Sequence, residues 1–141
     1  MSDAPQPRRP LPAPEDPLVV EFWDRCNRGE LCFQRCESCG TWRHLPRFVC
    51  ARCGSDRWGW APSSGCGRIY SWTITHQPLV RGFPDPVPYA VVVVELDEGV
   101  RMVSGLRGLE PAKLALDLPV EVVFETVADG VRMPFFRPRP S

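Results

Sequence analysis

Cys36-Glu37-Ser38-Cys39-Gly40 and Cys50-Ala51-Arg52-Cys53-Gly54 are two copies of one pattern, C-x-x-C-G, with ten residues between Cys39 and Cys50. Two thiolates separated by two residues reach a single ion from one tight turn. The glycine that follows admits a left-handed backbone, which aims amide N–H groups at the sulfurs. Two such knuckles, brought together by a hairpin, complete a tetrahedral four-thiolate shell with zinc–sulfur bonds of about 2.3 Å. Cys36, Cys39, Cys50 and Cys53 are therefore expected to hold one Zn2+ per chain. Iron accepts the same four thiolates, and an electron-transferring iron centre is the alternative. A neutral chain with a β-rich segment attached favours zinc. Four thiolates leave no water to activate, so the ion is structural and compensates for a module too small to bury its own core.

Seven cysteines, an odd number, occur in a chain whose opening residues carry no apolar leader segment. That usage points to a reducing, cytoplasmic setting, where thiols hold metal instead of pairing. Cys26 and Cys32 are expected to be small buried residues, and Cys66, between two glycines, an exposed thiol. His44 is expected on the hairpin loop with Trp42, Arg43 and Arg47, outside the metal shell. Seventeen basic side chains balance seventeen acidic ones, which argues against a protein built to coat a polyanion. The longest apolar run, Tyr89–Val94, is far short of the ~18–20 residues that span a bilayer, so no membrane insertion is expected.

Six of the seventeen prolines lie within residues 1–17, and such spacing forbids helix or ladder, so 1–16 is expected to be a disordered tail. Asp16-Pro17 is a helix start, with an acceptor at the N-cap and proline at N1. Leu18, Val19, Phe22, Trp23 and Cys26 then form one apolar face, and Gly29 is the stop. The segment 17–30 is thus a short N-terminal helix, which must dock to be stable. The metal ribbon follows at 31–62, and Ser63–Gly67 is expected to be a hinge or turn.

From 63 to 138 the pattern is β. Ile69–His76, Ala90–Leu96, Val100–Leu106, Val120–Val127 and Val131–Phe136 read as strands, with helical turns within Leu109–Leu118. Five strands with a helical connection between the third and fourth match an OB-type barrel. The fold class is mainly β: a short N-terminal helix, a four-cysteine zinc ribbon and a five-stranded OB-fold barrel, with 139–141 as a frayed tail.

Phe22-Trp23, Gly29, Gln34-Arg35-Cys36-x-x-Cys39-Gly40, Pro46 and Cys50-x-x-Cys53-Gly54 resemble one particular ribbon. Gly65-x-Gly67-x-Ile69-Tyr70-Ser71-Trp72-Thr73, His76, Pro88-Tyr89, Val94-Glu95-Leu96-Asp97-Glu98-Gly99, Pro119-Val120-Glu121-Val122 and Pro134-x-Phe136-Arg137-Pro138 extend the match. Together these are similar to the acyl-CoA-associated family with a rubredoxin-like zinc ribbon and an OB-fold, long called domain of unknown function thirty-five. The resemblance covers about Leu18 to Pro138. It implies a non-catalytic accessory subunit in a hetero-oligomer with a thiolase-like enzyme or an aldolase of sterol side-chain breakdown. The family's zinc ligands map onto Cys36, Cys39, Cys50 and Cys53. Cys66 and Gly108-Leu109 depart from the family pattern.

The residues themselves agree with that implication. No G-x-S-x-G elbow, phosphate-binding glycine loop or Ser/His/Asp set is present, so the chain is not expected to be an enzyme by itself. The thirteen-residue connection Gln77–Tyr89 exceeds the usual ~4–6 and is read as a binding feature. Arg81 and Phe83 at its tip, with His76 at its start, are the candidates for contacting a partner or its acyl-CoA. For His76 the plainer role, a strand-end histidine that hydrogen-bonds the loop, is the preferred reading over a general base for a neighbouring acyl-CoA. Trp23, Trp42, Phe48, Trp58, Trp60 and Phe83 are candidate interface anchors; Trp58 and Trp60 also suit a role covering the ribbon core. The alternative function is nucleic-acid binding, which suits a zinc ribbon followed by an OB-fold with arginines crowding the ribbon. Zero net charge places it second.

Overall fold

The computed structural model describes residues 9–140. Of the proline-rich opening, residues 1–8 lie outside the described part. From Arg9 to Glu15 the chain has neither helix nor strand, as its prolines require. Helix α1 (Pro17–Asn27) begins where the Asp16 carboxylate accepts the Leu18 N–H at 2.8 Å. It ends at Arg28, and Gly29, with φ of 76°, reverses the chain. Leu18, Phe22 and Cys26, spaced by four, are its buried face.

The ribbon is a three-stranded antiparallel sheet in which β1 (Cys32–Cys36) lies between β2 (Trp42–Arg43) and β3 (Trp58–Pro62). The second sheet comprises β4 (Cys66–Thr75), β5 (Tyr89–Leu96), β6 (Arg101–Gly105), β7 (Pro119–Ala128) and β8 (Val131–Pro138), in the order β6-β5-β4-β7-β8. Along β5, Ala90, Val92, Val94 and Leu96 are buried and alternate with half-buried neighbours, the period-two pattern of a strand lining a core. A bulge at Tyr70 interrupts the β4–β5 register, and the Arg101 guanidinium lies 3.8 Å from the Tyr70 ring centre. Phe22 of α1 and Phe33 of the ribbon share one buried cluster with Ile69, Val92, Val120 and Phe136. The helix, the ribbon and the larger sheet therefore rest on a common core.

Several expectations need correction. The five strands do not close into a barrel by hydrogen bonding; they form an open sheet. Between β6 and β8 there is only the parallel bridge Leu106–Phe136, with the Arg107 N–H donating to the Phe136 carbonyl and the Ser104 hydroxyl to that of Pro134. The reason lies in β8 and α1. Pro134 has no N–H to offer a ladder, and the Asn27 carboxamide at the end of α1 takes the Arg132 N–H at 3.0 Å. Helix α1 thus covers part of the strand edge that closure would need.

The expected hinge at Ser63–Gly67 is clamped. Glu98, in the β5–β6 turn, accepts from the Ser63 hydroxyl at 3.0 Å and the Ser64 N–H at 2.6 Å. Cys66 opens β4 opposite Glu121 and is half-buried instead of exposed. The short helical turn expected within Leu109–Leu118 is a 3-10 turn, Pro111–Lys113.

His44 also differs from its expected place on the loop surface. It packs against Phe22 and Phe33, ring centres 5.0 and 5.2 Å away. Burial among these rings pushes its pKa down to about 4. The fold therefore favours the neutral imidazole. Its contribution is complete above the ordinary value near 6.5 and is lost as pH falls toward 4, by at most about 3 kcal/mol. Urea titrations across this window should show a steeper acid loss for the native chain than for His44→Phe; parallel profiles would contradict the packing.

Gly67 on β4 gives a second test. A Cβ there would collide with the Glu95 carbonyl oxygen and lie 2.9 Å from a Val94 methyl, whereas one at Gly59 meets only a Glu37 oxygen at 3.7 Å. Gly67→Ala should cost about 1–3 kcal/mol, a fall of roughly 2–4 °C in melting temperature per kcal/mol, with Gly59→Ala near neutral.

Candidate metal centre and the adjoining groove

The two knuckles meet as their spacing requires. The ligand atoms of Cys36, Cys39, Cys50 and Cys53 all lie within 4.8 Å of one another. The Cys36–Cys53 and Cys39–Cys50 sulfur pairs stand 3.6 and 3.7 Å apart. A tetrahedron with bonds of about 2.3 Å has edges of about 3.8 Å, which these two edges match. Each knuckle closes in the same way: Gly40 N–H donates to the Cys36 carbonyl and Gly54 N–H to that of Cys50, at 2.9 and 2.8 Å. Both glycines have positive φ, 74° and 78°. Cys36 and Cys50 are buried, while Cys39 and Cys53 face outward. The Ser38 and Ser55 hydroxyls, 2.8 Å apart, join the knuckles at their tips.

The surroundings stabilise thiolate at two positions. Backbone N–H groups of Cys39 and Ser38 hold the Cys36 thiol below its ordinary value. The Thr41 hydroxyl, 3.1 Å from the sulfur, and the Thr41 N–H bring Cys39 to about 6. A divalent ion prefers thiolate, so these donors favour metal capture near neutrality. The four cysteines are thus positioned to bind one metal ion in a shell of four soft donors, which fits Zn2+. Cys26 and Cys32 are buried apart from this shell, and burial raises Cys26 to about 12.

Beside the ribbon, α1, the hairpin tip and the open side of the larger sheet enclose an apolar groove of about 510 Å³. Trp23, Leu45, Phe83, Tyr89, Met102 and Phe135 are among its walls. Phe83 tilts against Tyr89 with ring centres 4.8 Å apart. The Arg9 guanidinium lies 5.4 Å from both the Phe83 and Phe135 ring centres, across the mouth. Arg107 stacks on Phe135 at 3.9 Å and pairs with Asp85 at 3.1 Å and Glu125 at 2.6 Å.

Of the loop residues singled out in the sequence, the structure brings Phe83 into the groove. His76 and Arg81 are exposed and lie outside its walls. Trp58 and Trp60 pack edge to face at 5.4 Å, and the Trp60 indole N–H donates to Glu21 of α1. Phe48 is 64% exposed at the ribbon tip. Arg9, Asp85 and Arg107 were not identifiable beforehand, because their partners lie on distant segments.

Comparison with known proteins follows this division. A family model for the rubredoxin-like zinc ribbon domain of ChsH2 matches residues 23–59, and one for its C-terminal OB-fold domain matches 60–125. A probable enoyl-CoA hydratase alpha subunit of Thermomonospora curvata is 36% identical over 134 residues. That match takes in 94% of this chain but 41% of the relative, so the chain spans less than half of that protein. A DUF35 domain-containing scaffold protein of Methanothermobacter thermautotrophicus is 32% identical over 129 residues, covering 87% of this chain and 96% of the other. Among solved structures, the Ltp2-ChsH2(DUF35) aldolase contains a chain that superposes with a TM-score of 0.82 at 32% identity. It covers 89% of this chain and 98% of that one.

Elemental analysis should find one zinc per chain. Cys36→Ser or Cys50→Ser should abolish metal retention and destabilise the ribbon by on the order of 5 kcal/mol or more. A chelator-treated protein that melts like the zinc form would contradict a structural role.

Proposed function

Because the chain belongs to the ChsH2-type family of zinc-ribbon and OB-fold proteins, also called DUF35, we propose that it is a non-catalytic accessory subunit of an acyl-CoA enzyme. The partner in this reading is a thiolase-like enzyme or aldolase subunit, and the two chains form a hetero-oligomer in the cytoplasm. The observation that carries the proposal is similarity over nearly the full length of two relatives, one named a scaffold protein and one a chain of an aldolase complex.

The chemistry of the chain supports this role. A four-thiolate shell has no open coordination position for a substrate. The apolar groove is of a size that accommodates small molecules, in the range of about 300–1,000 Å³. Its floor lies at the edge strand β6, where Val103 is 65% exposed. In this reading the groove contributes to an acyl-CoA site completed by the partner, with Phe83 as a contact and His76 and Arg81 on the loop beside it. Nucleic-acid binding is less well supported. The formal net charge is zero, and on the larger sheet Arg68, Arg101, Arg107 and Arg137 are each engaged by carboxylates, so those four offer little free charge to a phosphate backbone.

Co-expression with thiolase-like and aldolase proteins encoded near its own gene is expected to yield a stable complex whose acyl-CoA turnover requires both chains. Val103→Glu at the groove should lower that turnover about tenfold or more while the chain alone remains folded. If none of those proteins co-purifies with this chain, the accessory role is refuted.

A further inference from the structure

The apolar groove carries its own cover. The chain approaches α1 through Arg9-Pro10-Leu11-Pro12-Ala13-Pro14-Glu15. Each proline fixes its own φ and drives the residue before it out of the helical region, so alternate prolines hold this segment extended without a hydrogen-bond ladder. At about 3.1 Å per residue, the stretch from Arg9 to Asp16 reaches roughly 20 Å. One end is fixed where Asp16 caps α1, whose Val19, Phe22 and Trp23 line the groove. The other end is Arg9, which lines the same groove. Between them, Pro12 and Pro14 are half-buried.

The Arg9 guanidinium bridges two segments of the groove wall, 5.4 Å from the ring centres of both Phe83, on the β4–β5 connection, and Phe135, on β8. Asp85 also lines the groove, but its carboxylate is taken by Arg107 at 3.1 Å. Among the described residues, Arg9 forms no ion pair. Two aromatic faces hold it instead, and such contacts are individually weak where water has access. A segment already extended by its prolines loses little freedom on closing, so two weak contacts suffice to keep it closed. The same weakness lets a ligand of ordinary affinity open it. A charged group across the mouth is an obstacle to an apolar ligand, which must displace it to reach the walls behind.

We propose that Arg9–Glu15 is a built-in strap that holds the groove mouth closed through Arg9 and must release before the groove takes an apolar ligand. That the strap also governs acyl-CoA entry rests on the accessory reading above; the closing itself does not.

The zinc-loaded full chain, without partner, is titrated with the uncharged fluorophore N-phenyl-1-naphthylamine, and the signal read is the saturable part that Val103→Glu removes. Arg9→Ala should bind the probe about tenfold more tightly than the native chain, because the closed fraction no longer competes. Pro10→Gly, Pro12→Gly and Pro14→Gly together keep Arg9 but loosen the strap, and should tighten binding about threefold. Arg139→Ala, exposed and outside the groove walls, should leave binding unchanged. Equal or weaker binding in Arg9→Ala, or no Val103-sensitive site in any of these chains, overturns the proposal. Tightening in Arg9→Ala with the triple-glycine chain unchanged also overturns it, since the arginine would then act without the strap. Neither partner nor CoA is present, so failure here leaves the accessory role standing, and failure to form a complex leaves the strap standing.

Discussion

The four-thiolate shell is the constraint on which the ribbon depends. Leu31 and Phe33 are the large apolar side chains that the ribbon strands and their approach bury, too few to hold a three-stranded sheet with a two-residue edge strand. Four sulfurs within 4.8 Å of one another replace the missing core. Once the knuckles are pinned, Gln34 and Arg43 face each other across β1 and β2, and their hydrogen bonds set the path of the chain through Arg47. The metal therefore secures a polar interior that hydrophobic burial alone would not support.

Helix α1 connects this ribbon to the larger sheet. Phe22 packs with Phe33 on one side and belongs to the same cluster as Val92 and Phe136 on the other. Asn27 occupies an edge N–H of β8, and Glu21 engages Trp60. An eleven-residue helix is too short to persist in water by itself, so these contacts explain both its stability and its position. The Glu98 clamp on Ser63 and Ser64 adds a second attachment between the ribbon and the sheet. Because α1 lies against β8, the sheet stays open, and the opening gives the groove its depth.

The architecture separates roles spatially. The tetrathiolate stabilises and does not react. The groove presents apolar walls, with the Arg9 guanidinium lying over the Phe83 and Phe135 rings. Such a division suits the proposed role of a chain that positions and completes another protein's chemistry, and one relative is named a scaffold protein.

Local pattern determined much of this protein. The doubled C-x-x-C-G encodes its own geometry through tight turns and positive-φ glycines, so the metal shell was legible residue by residue. The Asp16-Pro17 cap and the alternation along Tyr89–Leu96 likewise need only neighbouring residues to be read. Features built from distant segments were not legible. Asn27 meets Arg132, Glu98 meets Ser63, and Arg9 meets Phe83 and Phe135 only after the chain has folded. The open sheet, the locked linker and the depth of the groove were therefore decided by tertiary packing. So was the burial of Arg43 against Gln34, since no sequence pattern reports which charged side chain the fold will cover.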